Sequence, residues 1–235
     1  MVTYENGSEP ADYLRCFESD TFGCYPCAPA DVREAFMESI KVFENNLPDL
    51  WRKGFRIWIV PQSTKVTDMP GCSGAGSECN DDRYRGLYLW NRRENRKLAL
   101  IKEKDLKQRR NALKHEIGHA IWHLLLTNSD RGYLKKVYKR EKRENPDRNR
   151  DYRMSNPGEF FADSLAYYHT FHTEPKVIEV REYVVEPFIF GTNAVHIREV
   201  MKEGSLEPTK KTLESLNPEM LSYLEEKERK GWKWR

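Results

Sequence analysis

The order of hydrophobic and polar residues along the chain predicts both helices and strands, and therefore a fold of the α+β class. Apolar residues at three- and four-residue spacing from Val32 to Phe43 predict a helix over residues 31–45, with Asp31 as its cap. The apolar run FRIWIV at Phe55–Val60 is typical of a buried strand, and the proline that follows it would end that strand.

Two further strands are predicted downstream of a loop rich in Gly, Ser and Asp over residues 61–83. The apolar stretches at 86–90 and 98–101 flank the charged sequence NRRENRK, so together they predict a hairpin at the edge of a small sheet. Amphipathic spacing then predicts four helices, over residues 105–126, 131–143, 157–171 and 213–227.

These elements suggest an irregular N-terminal segment over residues 1–29 and a single domain over residues 30–235. The C-terminal third is predicted to be mostly helical. Within it, the Val and Ile runs between residues 175 and 200 fit either a helix or a strand, because short apolar runs do not distinguish the two.

Composition excludes several classes of protein. Hydrophobic residues make up 38% of the chain and aromatic residues 12%, which is too much for a disordered chain. Without a run of 18 apolar residues, no membrane span is predicted. The N-terminal sequence MVTYENGSEPADYLRC has early acidic residues where a secretory signal has an apolar stretch, so we expect a cytoplasmic protein or export by a route other than Sec.

Charge is concentrated in the middle of the chain. The whole chain has a formal charge of +3, whereas residues 91–153 contain 20 basic and 9 acidic residues, a net charge of +11. Such a segment could dock on an acidic partner or form the solvated faces of helices. Aromatic residues are sparse there and no nucleic-acid motif is present, which favours solvated faces and argues against nucleic acid as a partner.

The five cysteines are an odd number and predict no complete disulfide framework. Cys24 and Cys27 form a C-x2-C pair, and Cys72 and Cys79 close the Gly/Ser-rich loop. Reduced thiols, one loop disulfide and a second metal site all remain open, although a single C-x2-C is weak support for metal.

The strongest chemical signal is the H-E-x-x-H motif His115-Glu116-Ile117-Gly118-His119 on the predicted helix 105–126. Residues four apart lie one above the other on a helix, so both imidazoles can reach one Zn²⁺. Glu116 would lie beside them and could take a proton from water at the metal. His123 continues the series, but three stacked turns do not converge easily on one ion, and we expect it to line the cleft or cap the helix.

A catalytic zinc site needs a third protein ligand and an open position. Glu159, in the sequence NPGEFFAD, is the best candidate, and Asp163 lies four residues later on the same predicted helix. Asp163 could then hold a ligand imidazole in the right tautomer. The alternative is that Glu159 only caps the helix, because Asn156 would be the N-cap and Glu159 the third residue of a capping box.

Taken together, HEIGH and EFFAD, with 39 residues between His119 and Glu159, resemble the anthrax lethal factor-like zinc metallopeptidases, which include the clostridial Pro-Pro endopeptidases. The resemblance covers residues 30–172 and implies a zincin-like fold and a peptide or protein substrate. It also implies that His115, His119 and Glu159 bind zinc and that Glu116 is the base. That family has a tyrosine seven residues before the glutamate ligand, and the resemblance gives Tyr152 the role of stabilising the oxyanion.

Two other functions remain open from the sequence. An ImmA/IrrE-like regulatory metallopeptidase also pairs H-E-x-x-H with a downstream glutamate, and Tyr152 would then be incidental. A non-enzymatic protein could instead keep the zinc as a structural element and dock on an acidic partner through residues 91–153. Zinc content together with peptide hydrolysis separates these hypotheses.

Overall fold

A computed structural model describes residues 29–43, 46–60, 86–91, 96–107, 111–150, 152–170, 177–187, 193–203 and 210–230. It confirms a mixed α+β fold that is mostly helical with a small three-stranded sheet. In chain order the main elements are α1 (Ala30–Lys41), α2 (Leu47–Arg52), β1 (Phe55–Val60), β2 (Gly86–Asn91), β3 (Arg96–Lys102), α3 (Glu103–Lys107), α4 (Ala112–Leu124), α5 (Asn128–Glu144), α6 (Pro157–Tyr168), β4 (Val177–Pro187), β5 (Asn193–Glu203), α7 (Lys210–Leu216) and α8 (Pro218–Lys230).

The three-stranded sheet has the strand order β1-β3-β2 and is mixed. β1 and β3 are parallel, with Phe55 opposite Lys97, and β2 and β3 are antiparallel, with Gly86 opposite Ile101. The predicted hairpin is therefore confirmed, but of its two strands only β2 is an edge strand, because β3 is central and pairs with β1 on its other side. A nearly continuous apolar strand such as β1 is typical of parallel strands covered on both faces, and all but one of its residues beyond Phe55 are buried.

The core lies between this sheet and helices α1, α2, α4 and α6. The rings of Trp51 and Phe55 stack at a centroid distance of 5.5 Å, which fixes α2 against the start of β1. The largest fully buried side chains are Phe36, Phe43, Phe55, Phe160, Phe161, Ile40, Leu47, Leu50, Ile57, Ile59, Leu100 and Ile101. Each such side chain stabilises the fold by about 1.5–3 kcal/mol relative to exposure, so α4 and α6 are anchored on a rigid base.

The predicted helix 105–126 is two helices, α3 and α4, and the prediction of one continuous helix was wrong. Residues 108–110 between them lie outside the described part, and Asn111, a turn residue, precedes α4. Asn111 is buried at the end of this stretch, where its Oδ1 accepts a hydrogen bond of 2.6 Å from the Thr170 hydroxyl. The break therefore sets the position at which the H-E-x-x-H helix starts.

The predicted C-terminal helix is likewise divided, into α7 and α8, because Pro218 lacks the N–H that a continuous helix needs. Asn217 caps the second helix: its Oδ1 accepts from the Met220 N–H at 2.8 Å, while its side-chain N–H donates to buried Glu141 at 2.8 Å. At the N-terminal end, α1 begins at Ala30, so Asp31 lies inside the first turn rather than at the cap.

The segment that the sequence left open is a two-stranded antiparallel hairpin of β4 and β5, with Val177 opposite Glu203. The helical prediction for the C-terminal third therefore holds for α7 and α8 and not for residues 177–187 and 193–203. The chain divides into two compact units, Met1–Phe171 with Pro208–Arg235, and His172–Glu207.

Several predictions from the sequence concern residues outside the described part. These are the irregular segment up to residue 28, the loop over residues 61–83 and all five cysteines. Within the described part, no helix is both long and apolar enough to cross a membrane.

Candidate metal centre

Helix α4 places the two histidines of the H-E-x-x-H motif side by side. The rings of His115 and His119 lie at a centroid distance of 4.6 Å, and their Nε2 atoms are 2.9 Å apart. This arrangement follows from the spacing of four residues, which puts both side chains on one face of the helix. The opposite side of α4 carries the apolar residues Leu113, Ile117 and Ile121, all of which are buried.

Glu159 on α6 completes the group. Its Oε2 atom lies 3.1 Å from Nε2 of His115 and 3.2 Å from Nε2 of His119. The helix cap is supplied by Asn156, whose Oδ1 accepts from the N–H groups of Gly158 and Glu159 at 2.8 and 3.0 Å. The Glu159 carboxylate thus faces the histidines, so the structure favours a ligand over a capping-box residue.

The three side chains form a group that could hold a metal ion. Their nearest ligand atoms form a triangle with sides of 2.9, 3.1 and 3.2 Å. In a tetrahedral zinc site with bonds of about 2.0–2.1 Å, ligand atoms lie roughly 3.3 Å apart, so the triangle has nearly the size of one tetrahedral face. Glu159 Oε2 is also buried and, beyond the two imidazole nitrogens, has no hydrogen-bond partner among the described residues, which suits a metal-ligand atom.

Asp163 orients one of the histidines. Its Oδ1 lies 2.7 Å from Nδ1 of His115, and because a carboxylate only accepts, Nδ1 must carry the proton. In the neutral ring Nε2 then directs its lone pair toward Glu159. The predicted supporting role of Asp163 matches this geometry, and such outer contacts fix the tautomer of metal-binding histidines.

The electrostatics of the group favour a positive charge. Burial opposes an imidazolium at His115, but its hydrogen bonds to Asp163 and Glu159 and the charge of Glu116 outweigh burial and raise its pKa to about 10. Burial likewise acts to raise the pKa of Glu159, yet its hydrogen bonds to His115 and His119 lower that pKa well below the ordinary value. Without a cation the group therefore holds a proton, and a metal ion would have to displace it, so metal affinity should fall as pH falls.

Glu116 lies beside the triangle without belonging to it. Its side chain is buried, and burial raises its pKa, although the nearby charges of His115 and His119 act in the opposite direction. A carboxylate that holds its proton more readily than usual, next to a cation site, suits the transfer of a proton to and from substrate.

One side chain from the sheet also borders the candidate metal centre. The ring of Tyr88 on β2 stacks on His123 at 5.6 Å with an interplanar angle of 2°, and lies 6.2 Å from His119. His123 is exposed and is not among the three residues of the candidate metal-binding group. The position of Tyr88 could be anticipated only as part of a strand near the motif.

Tyr152 begins a short 3-10 helix, Tyr152–Met154, and its side chain lies outside the described part of the chain. The turn is held against α6 by Arg153, whose guanidinium lies 5.0 Å from the centroid of the Phe160 ring and 5.7 Å from that of Tyr167. The role of Tyr152 therefore stays a prediction, although its backbone is fixed to the helix that carries Glu159.

The centre exists because α4 and α6 approach very closely. A Cβ atom at Gly118 would lie 2.7 Å from the Cα of Ala162 and 3.1 Å from its Cβ. Both residues stand within the motifs themselves, one in HEIGH and the other in EFFAD. Gly118 and Ala162 thus let the two histidines on α4 approach the carboxylate on α6. The sequence signal for this close approach is the small residue in each motif.

Gly118→Ala is expected to weaken zinc binding about 10-fold or more and to lower the melting temperature by about 2–12 °C, because the added methyl group must force α4 and α6 apart. Zinc titration and thermal unfolding of the apo protein measure the two effects. Gly132→Ala on α5 is the matched control, since nothing lies within 4 Å of a Cβ there. Unchanged zinc binding in Gly118→Ala would contradict the close approach.

Asp163→Asn is expected to weaken zinc binding by about 10- to 100-fold, the usual effect of losing a supporting hydrogen bond to a ligand histidine. An amide can still accept from His115 through its oxygen, but it brings no negative charge to the ring. Competition with a chromophoric chelator measures the change. If the affinity stays within twofold of the wild-type value, Asp163 does not support the ligand.

Comparison with protein-family models, with curated proteins and with solved structures gave no match for this chain. The relationship to lethal factor-like peptidases therefore stays a resemblance that rests on the two motifs.

Proposed function

We propose that the protein is a zinc-dependent endopeptidase. The observation that carries the proposal is the convergence of His115, His119 and Glu159 within hydrogen-bond distance of one another, with Asp163 behind His115 and buried Glu116 alongside. Three protein ligands of this type leave one position for water or substrate, which is how catalytic zinc sites differ from closed structural ones.

Zinc suits the donor set better than other divalent metals. Two imidazoles and one carboxylate are the ligands of many hydrolytic zinc sites, whereas Mg²⁺ and Ca²⁺ favour oxygen atoms alone. Imidazole ligands also suit copper, iron and nickel, so metal analysis of the purified protein belongs to the test.

Each residue of the site has a separate proposed role in peptide hydrolysis. When bound, zinc would lower the pKa of water and polarise the peptide carbonyl. Glu116 would take a proton as the water oxygen bonds to the carbonyl carbon, and would return that proton to the amine as the carbon–nitrogen bond breaks. Asp163 would hold His115 in place throughout, because its hydrogen bond fixes the ring.

Tyr152 is proposed to donate a hydrogen bond to the carbonyl oxygen as negative charge develops there, a role that the resemblance implies. Tyr152→Phe should then lower kcat by about 10²- to 10³-fold, with little change in KM or zinc content, since the bond forms mainly in the transition state. Steady-state kinetics with zinc occupancy measured on the same sample tests this. An unchanged kcat would favour an ImmA/IrrE-like peptidase over the lethal factor-like one.

The test of the function is a peptide library incubated with the zinc-loaded protein and analysed by mass spectrometry. We expect cleavage that a zinc chelator abolishes, that added zinc restores, and that Glu116→Gln lacks. A zinc-bound wild-type protein that cleaves neither the library nor unfolded proteins would instead support the binding protein, with the exposed lysines Lys135, Lys136 and Lys139 of α5 as its docking face.

A further inference from the structure

Gly86, the first residue of β2, lies directly against the carboxylate of Glu116. A Cβ atom built at Gly86 would be 2.8 Å from both Cγ and Oε1 of Glu116 and 3.1 Å from Cδ1 of Ile101. Carbon and oxygen atoms in contact normally lie well beyond 3 Å. There is therefore no room for any side chain at position 86 while Glu116 keeps its place.

The backbone at Gly86 does not itself require glycine. Among the described glycines only Gly54 has a positive φ, of 82°, so an alanine could adopt the backbone conformation of Gly86. A glycine inside a strand costs stability relative to alanine, and it often marks a close approach of another group. The space taken by Glu116 is thus the physical reason for the glycine.

β2 runs beside the H-E-x-x-H helix α4 and contacts it at two alternate positions, 86 and 88. Residues 86 and 88 point to the same face of the strand, and they meet Glu116 and His119 respectively. The strand therefore forms a wall along the proposed catalytic groups. At position 86 that wall has no side chain, and the Glu116 side chain occupies the space that a Cβ atom would take.

We infer that Gly86 is a positioning residue: by lacking a side chain, it lets the edge strand hold the Glu116 carboxylate in the orientation that proton transfer requires. This inference rests on the proposed function in so far as Glu116 acts as the base. Any side chain at position 86 would rotate the carboxylate away or push β2 off α4. Since Glu116 is not a ligand, the zinc should stay bound in either case.

The kinetic test is Gly86→Ala in the zinc-loaded protein. A displacement of the base by several tenths of an ångström should lower kcat by about 10- to 100-fold, because a misplacement of 1 Å can cost about 10²-fold. KM and zinc occupancy should stay within threefold of the wild-type values. Gly132→Ala, the same change in open space, should leave all three quantities unchanged.

A second measurement does not depend on activity. Gly86→Ala should lower the melting temperature of the apo protein by about 2–12 °C, whereas in a Glu116→Ala background the same change should have no effect or raise it, because the shortened side chain leaves room for the new methyl group. If Gly86→Ala alone fails to fold, the melting temperature of the Gly86→Ala/Glu116→Ala double variant can still be compared with that of Glu116→Ala.

The outcomes separate this inference from the proposed function. A wild-type protein without peptidase activity would overturn the proposed function. The melting temperatures would then decide whether Gly86 and Glu116 are in contact. A destabilisation by Gly86→Ala that disappears in the Glu116→Ala background supports the contact, and equal destabilisation in both backgrounds overturns it. With an active wild type, a kcat for Gly86→Ala within twofold of normal would overturn the inference. A loss of zinc equal to the loss of kcat would also overturn the inference, because it would show that helix α4 is displaced and not only the Glu116 carboxylate.

Discussion

Glu116→Gln is expected to lower the kcat of peptide hydrolysis by about 10²- to 10⁴-fold while zinc stays bound with near wild-type affinity. Glutamine fills the same space between α4 and β2 but cannot take up a proton at neutral pH. His115, His119 and Glu159, the group that could hold a metal ion, are untouched by the change. A loss of kcat without a loss of zinc separates the base from the ligands.

Removing a buried charge can also change stability, so the variant needs a matched control. Glu141→Gln serves this purpose, because Glu141 is likewise 5% exposed but lies on α5, where it binds Asn217 and Arg148. We expect Glu141→Gln to alter the melting temperature and to leave kcat within about twofold. Substantial hydrolysis by Glu116→Gln would rule out Glu116 as the base and, with it, the proposed mechanism.

The two histidines of the candidate metal-binding group could be paired from the sequence because their geometry is local. The spacing of His115 and His119 determines that both lie on one face of a helix, and a helix that starts at Pro157 places Glu159 in its first turn. Spacing alone could not decide whether Glu159 caps that helix or faces the histidines. The decision depends on the packing of α4 against α6, which is a tertiary contact.

The parts of the fold that sequence reasoning missed depend on contacts between distant segments. The run FRIWIV suits a parallel strand but does not indicate that the partner of β1 is β3, about 40 residues later. Alternation in the hairpin of β4 and β5 is obscured by apolar residues that suit either a helix or a strand. The contact of Gly86 with Glu116 has no sequence signal beyond a glycine at the start of an apolar stretch.

Glu159→Ala is expected to weaken zinc binding by about 10³-fold or more, because two imidazoles alone cannot complete the set of three protein ligands that catalytic zinc sites use. Competition with a chromophoric chelator at fixed pH measures the affinity. The apo protein should also lose melting temperature, because the variant removes the carboxylate that pairs with His115 and His119, so the zinc affinity is the quantity that decides.

Asn156→Ala differs from Glu159→Ala in its expected zinc affinity and so tests the capping alternative directly. It removes the side chain that accepts from the N–H groups of Gly158 and Glu159, which should cost about 0.5–2 kcal/mol of stability. Zinc affinity should fall only a few-fold, because the ligand itself remains. If Glu159→Ala instead kept wild-type zinc affinity while lowering the melting temperature as Asn156→Ala does, Glu159 would be a capping residue and the third ligand would have to be another group.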